Sequence, residues 1–218
     1  LDTLLWKMFD EDGSQVRYWE LSAPPRKLAG SRPSRVASAV GLKSYGFAPN
    51  VRNEVINRTE LSSQGASARR TLMEAMLVSP SKPELAIDGF GPERAMYLAV
   101  LRESGIHRPG SAGSYVFSAP HATSDLSPTW RAIEQHIESG HFQTVNVAEL
   151  FEVLARPPYG LRQGPVPLLL LAYLLVNAES VAIYEHGVYQ PTLSADLVER
   201  LSKNPRNFTV RTFGLSRG

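Results

Sequence analysis

Residues 166–213, VPLLLLAYLLVNAESVAIYEHGVYQPTLSADLVERLSKNPRNFTVRTF, hold the clearest order in the chain. The first eleven are nearly all apolar, with Pro167 at their start. A membrane-spanning helix needs about 20 such residues, so this run predicts a buried core helix instead. Residues 180–184 and 188–192 are strand-like and are joined by Glu185, His186 and Gly187. Ser194 then caps an amphipathic helix that continues to about Lys203, and residues 208–213 alternate as a strand does.

Working back from this stretch, residues 156–165 (RPPYGLRQGP) form a proline-rich turn. Asn146 and Glu149 have the spacing of a capping-box pair, and open a helix through Ala155. Ser127 and Pro128 start another that ends at Gly140. Helix, turn, helix and then a two-stranded wing is the order of a winged helix, so residues 115–213 predict a winged-helix-like domain. A short strand over 115–118 leads into it.

Residues 107–114 are rich in glycine, proline and serine, the composition of a linker and the best candidate for a domain boundary. Before them, residues 34–107 read as a helical domain. Ser34 caps a short helix ending near Gly41, and Pro49 starts one to about Arg58. Ser62 or Ser63 caps a longer helix in which Ala66, Ala68, Leu72, Met73, Met76 and Leu77 recur at helical spacing. The run SPSKPE at 79–84 breaks the pattern, and Gly91 and Pro92 open a helix closed by Gly105, with Ala95, Leu98, Ala99 and Leu101 on one side. Residues 1–33 predict a β-hairpin, from strands over 4–9 and 15–21 with Asp10 to Gly13 at the tip, followed by a proline-containing linker. The fold class is therefore mainly α with small β elements (α+β).

Composition narrows the function classes. Nothing in the chain can form a disulfide or a cysteine zinc site, because it has no cysteine. No charged segment followed by an apolar one opens the sequence, so no signal peptide is expected, and a cytoplasmic location follows. A start at Leu1, within a strand-like run, reads as a cut into a longer polypeptide. Residues 13–70 hold ten basic residues against three acidic ones, although the whole chain carries only +2, so the remainder is acidic. Arginine outnumbers lysine by 18 to 5, a bias that suits planar anions such as phosphate and carboxylate.

The chemistry of catalysis is hard to find. His136, His141 and Glu138 are a conceivable metal set, but helix positions five apart diverge, and no metal is expected. No nucleophile elbow surrounds any serine, and several serines already serve as helix caps. The Gly89–Glu93 run GFGPE precedes a helix start yet lacks the lysine and hydroxyl of a phosphate loop, and Pro92 removes an amide. Asp10, Glu11 and Asp12 read as a solvated turn. No catalytic residue and no cofactor is expected.

Binding remains. Helix 166–176 offers no basic or amide side chain to a base, which argues against sequence-specific major-groove reading. The candidate residues for a partner or for nucleic-acid backbone are Arg52, Arg58, Arg69 and Arg70, with Arg69 opposite Leu72 and Met76 and so free for a partner, and Arg156 and Arg162 in the turn before the apolar helix.

Two stretches, RNEVINRTELSSQGASARRTLMEAML at 52–77 and PPYGLRQGPVPLLLLAYLL with VAIYEHGVYQPTLSADLVERLSKNPRNFTV within 157–210, resemble segments downstream of the ATPase core in large bacterial P-loop NTPases of BREX-like phage-defence systems. The quoted stretches make up about a third of the chain. It rests on hydrophobic pattern together with Asn57-Arg58, Ala68-Arg69-Arg70 and Tyr159-Gly160. It implies nucleotide-binding machinery upstream of Leu1, and a helical and winged-helix tail that couples ATP hydrolysis to DNA or to partner proteins. No Walker motif is present, so the resemblance carries over no nucleotide-binding residue.

Three readings follow. A non-catalytic assembly module, docking on the remainder of its own chain or complex, predicts a buried 166–176 helix and arginines that meet acidic partners. A non-specific DNA-binding module predicts one contiguous basic surface from Arg52, Arg58, Arg69 and Arg70. A stand-alone hydrolase requires a concave pocket that gathers histidines and carboxylates from both halves.

Overall fold

Caps and apolar spacing decide where the helices of this protein begin. The computed structural model describes residues 33–213 apart from 141 and 142, together with residues 17, 18, 26 and 27. Among the described residues it is about half helical, with seven α-helices and small antiparallel sheets, an α+β protein. Contacts divide it into two units, Leu1–Gly46 and Phe47–Gly218.

In the first unit, β1 (Arg17–Tyr18) pairs antiparallel with β2 (Arg26–Lys27), Arg17 opposite Lys27. The linker expected after residue 21 therefore supplies a strand. The expected strand over 4–9 and the acidic tip at 10–13 lie outside the described residues. Helix α1 (Pro33–Ser44) runs three residues past the end expected at Gly41 and leaves Leu42 exposed.

In the second unit, α2 (Ser63–Val78) begins where the Ser62 hydroxyl accepts the Gly65 N–H, which satisfies one of the amides a helix start leaves unpaired. Its buried face is Gly65, Ala68, Leu72, Met73 and Met76. Glu84, Leu85 and Ala86 then turn in left-handed backbone with φ of 48°, 57° and 56°. That conformation disfavours L residues, and the Glu84 carboxylate is tied here by Arg94 and Arg102 at 2.8 and 3.0 Å.

Residues 49–58, expected to be helical, instead form turns. The Asn53 Oδ1 accepts the N–H groups of both Val55 and Ile56, which competes with continuous helix. Helix α3 (Pro92–Met96) passes into a single π turn over Tyr97–Arg102. The extra residue in that turn rotates the buried face to Met96, Tyr97, Val100 and Leu101, so Ala95 is exposed rather than inward.

The glycine- and proline-rich 107–114 segment is built into the fold. It provides β3 (His107–Pro109), which pairs antiparallel with β4 (Tyr115–Phe117), His107 opposite Phe117. His107 is buried, and one apolar core continues across this segment from Val51 to Val210.

Next come α4 (Ser127–Glu138), β5 (Val145–Asn146) and α5 (Val147–Ala155), where the Asn146 side chain accepts the Ala148 N–H. Helix α6 (Val166–Val176) is buried on every side from Val166 to Leu174 and packs against α2, α4 and α7. Trp130 of α4 meets Tyr173 of α6 edge-on, with ring centroids 5.7 Å apart. Strands β6 (Val181–Glu185) and β7 (Val188–Gln190) form the expected hairpin. Its turn holds His186 and Gly187 at φ of 50° and 78°, the left-handed pair that fits a two-residue hairpin connection. Helix α7 (Ala195–Lys203) starts on the Ser194 hydroxyl, which accepts the Leu197 N–H. Strand β8 (Phe208–Thr212) then enters between β5 and β6, giving the antiparallel order β5-β8-β6-β7. The expected succession of helix, turn, helix and hairpin is present, and a fourth strand arrives last in the chain. Among the described residues no helix is long and apolar enough to cross a membrane.

Candidate interaction surface

Two of the six arginines singled out from the sequence meet at one glycine, Arg69 by its side chain and Arg58 by its backbone carbonyl. The turn before α6 crosses the loop before α2 at Gly164, whose N–H donates to the Arg58 carbonyl at 2.9 Å. The Gly164 carbonyl in turn accepts from Arg69 Nη1 at 3.0 Å. A Cβ at position 164 would collide with the Ile56 carbonyl oxygen, so only glycine permits this approach. Arg162 lies two residues before the crossing and is exposed.

Arg69 therefore differs from its sequence expectation. It is half-buried and bonded to the 161–165 turn rather than free for a partner. Burial lowers its pKa from the ordinary arginine value, and its Nε is enclosed without an acceptor. Arg70 faces the other way, toward α7. It lies 2.9 Å from Glu74, 2.5 Å from Glu199 and 3.7 Å from Asp196. Arg156 pairs with Glu152 one turn earlier at 3.1 Å. Arg58 Nε donates to its own loop at the Glu54 carbonyl, and Arg52 is exposed.

The cleft between α2 and α7 is lined by Arg69, Arg70, Glu199, Ser202 and Lys203. The Lys203 ammonium, 2.6 Å away, and then the Arg70 charge hold the Glu199 carboxyl below the usual carboxylate range. Beyond the last turn of α7 a larger open groove is lined by Phe151, Glu152, Gln163, Lys203, Asn204 and Arg206 among others. Arg206 is exposed, and no ion pair holds it among the described residues. Sequence reasoning missed Lys203 and Arg206. They end and follow an amphipathic helix more than a hundred residues from the arginine-rich segment, and only the return of α7 beside α2 brings them near Arg69 and Arg70.

Histidines are placed differently. His107 is enclosed, with Nε2 2.9 Å from the Pro80 carbonyl and Nδ1 3.0 Å from the Tyr97 hydroxyl. A carbonyl only accepts, so Nε2 carries the proton and Nδ1 accepts from the tyrosine. Burial lowers the His107 pKa and raises that of Tyr97 to about 12. Both ring nitrogens are therefore satisfied within a packed cluster that includes Tyr115 and Phe117.

A separate cleft is lined by Glu103, His121, Ser124 and Asp125. There the Ser124 hydroxyl accepts the Leu126 N–H, and among the described residues no hydrogen bond joins the His121 ring to a hydroxyl or carboxylate. His136 lies on α4 with its Nε2 buried and without a hydrogen-bond partner. His141 lies outside the described residues.

Comparison with protein-family models, with curated proteins and with solved structures finds no match for this chain.

Proposed function

We propose that this chain is a non-catalytic interaction module, part of a larger bacterial protein, that mediates assembly with other domains or subunits. The supporting observation is the placement of the arginines. Arg70 is taken up by three carboxylates and Arg69 by the Gly164 carbonyl, so they do not form one open basic face with Arg52 and Arg58. Backbone-tracking DNA binding depends on several such charges acting together. Large apolar side chains, meanwhile, stand outside the core. Phe90 is 95% exposed and Tyr189, on the edge strand β7, is 54% exposed. The association with phage-defence NTPases rests on the resemblance of residues 52–77 and 157–210, and remains part of the proposal.

Two measurements test it. The full-length protein, carrying a photo-crosslinking amino acid at Phe90 or Tyr189, is irradiated in its native host. Discrete protein–protein products are expected, and their absence at both positions sinks the assembly reading. In parallel, a random duplex is titrated with the protein across salt. Micromolar binding that falls steeply with salt and is lost in an Arg52→Glu/Arg58→Glu double variant would transfer the function to nucleic acid.

A further inference from the structure

The cleft between α2 and α7 and the larger groove beyond α7 share Ser202 and Lys203, so they form one continuous surface. We propose, building on the assembly reading, that this groove seats an acidic segment of the partner protein.

Charge is the first argument. Arg69, Arg70, Lys203 and Arg206 line the groove, against Glu152 and Glu199. The two carboxylates are already answered, Glu152 by Arg156 and Glu199 by Arg70 and Lys203. Arg206 is left in solvent without a counter-ion among the described residues. An incoming carboxylate removes this imbalance. Guanidinium groups bind carboxylates with two parallel bonds, which adds orientation to charge.

The wall chemistry is the second argument. Ala148, Phe151, Ala155 and Pro205 give the larger part an apolar side, which receives a hydrophobic side chain next to the acidic one. Gln163, Asn204 and Asn207 supply amides that match a peptide backbone. Single-stranded nucleic acid fits less well. Its bases need open aromatic faces to stack on, whereas Phe151, the aromatic residue in this groove, is only 8% exposed.

The probes are a fluorescein-labelled 12-residue peptide of alternating glutamate and leucine, and a labelled 20-nucleotide oligo-dT, titrated with the full-length protein by anisotropy. The peptide is expected to bind, with affinity that falls as salt rises. Arg206→Glu and, separately, Lys203→Glu should each weaken it about fivefold or more. Arg35→Glu, on α1, should leave it unchanged. Both groove positions are exposed, and circular dichroism checks that each variant is folded.

Absence of peptide binding, or full binding by both groove variants, overturns the proposal. Tighter binding of oligo-dT with the same dependence on Arg206 overturns it too, and makes the ligand nucleic acid. Crosslinks from Tyr189 with no peptide binding would leave the assembly reading standing and remove only the groove.

Discussion

Gly164 shows how far a single residue can decide a tertiary arrangement. Its missing side chain lets the 161–165 turn press onto the loop that carries Arg58, and both of its backbone groups are used there. Gly164→Ala is expected to lower the unfolding free energy by about 3 kcal/mol, because backbone on both sides must move. Urea denaturation measures it, and an unchanged midpoint would mean the crossing yields easily. His107 gives a pH-dependent counterpart. Burial holds its pKa below the ordinary 6.5, so the unfolded chain takes up a proton before the folded one does. Stability is complete above about pH 6.5 and is lost as pH falls through that value toward the folded pKa. His136 is shifted in the same direction, also chiefly by burial. His107→Gln should therefore flatten the fall in unfolding free energy between about pH 7 and pH 5, and His136→Gln should remove a further part. Equal slopes in all three proteins would assign the acid sensitivity elsewhere. None of this was legible from histidine spacing. Position 107 sits in a run of glycine, proline and serine that reads as linker, and its burial comes from pairing with Phe117 and from the aromatic rings around it.

At the scale of elements, helices with a serine or asparagine start and a regular apolar face were readable almost to the residue. Ser62, Asn146 and Ser194 cap as their positions suggest. Two segments resisted. Residues 49–58 have helical composition, but the Asn53 side chain takes the amides a helix would need. The helix from Pro92 keeps its start and buries Leu101 as expected, but a π turn that no local residue type announces brings Met96, Tyr97 and Val100 inward and leaves Ala95 exposed. Helix α6 was legible as a core helix from length and hydrophobicity alone. Its surroundings were not, because an all-apolar helix carries no sign of which side meets which neighbour. Since Leu170 is wholly enclosed, Leu170→Ala should cost about 3 kcal/mol, compared with a small effect at the half-exposed Val176. Comparable losses at both positions would show that α6 does not stand at the centre of the packing. The arginines were legible as residue types but not in their fates. Arg70 finds Glu199 and Asp196 only because α7 folds back along α2.

For the molecule as a whole, the apolar core that joins Val51 to Val210 predicts one cooperative unfolding transition for residues 47–213. Cutting the chain at residues 110–113 should therefore give two pieces that unfold at low denaturant or fail to fold, rather than two stable domains. Two well-separated transitions from the intact protein would refute this. The turn-rich composition there belongs to a hairpin, and composition alone does not separate a hairpin connection from a boundary between domains. The fold class and the order of the C-terminal elements were thus readable, while the groove was not, being assembled from α2, α5 and α7, which lie far apart in sequence. The place of β8 has one more consequence. It lies between β5 and β6, so β5 leaves the ribosome some sixty residues before the strand it pairs with. Until then the β6 edge beside it is open, a surface on which nascent chains associate wrongly during that interval of synthesis.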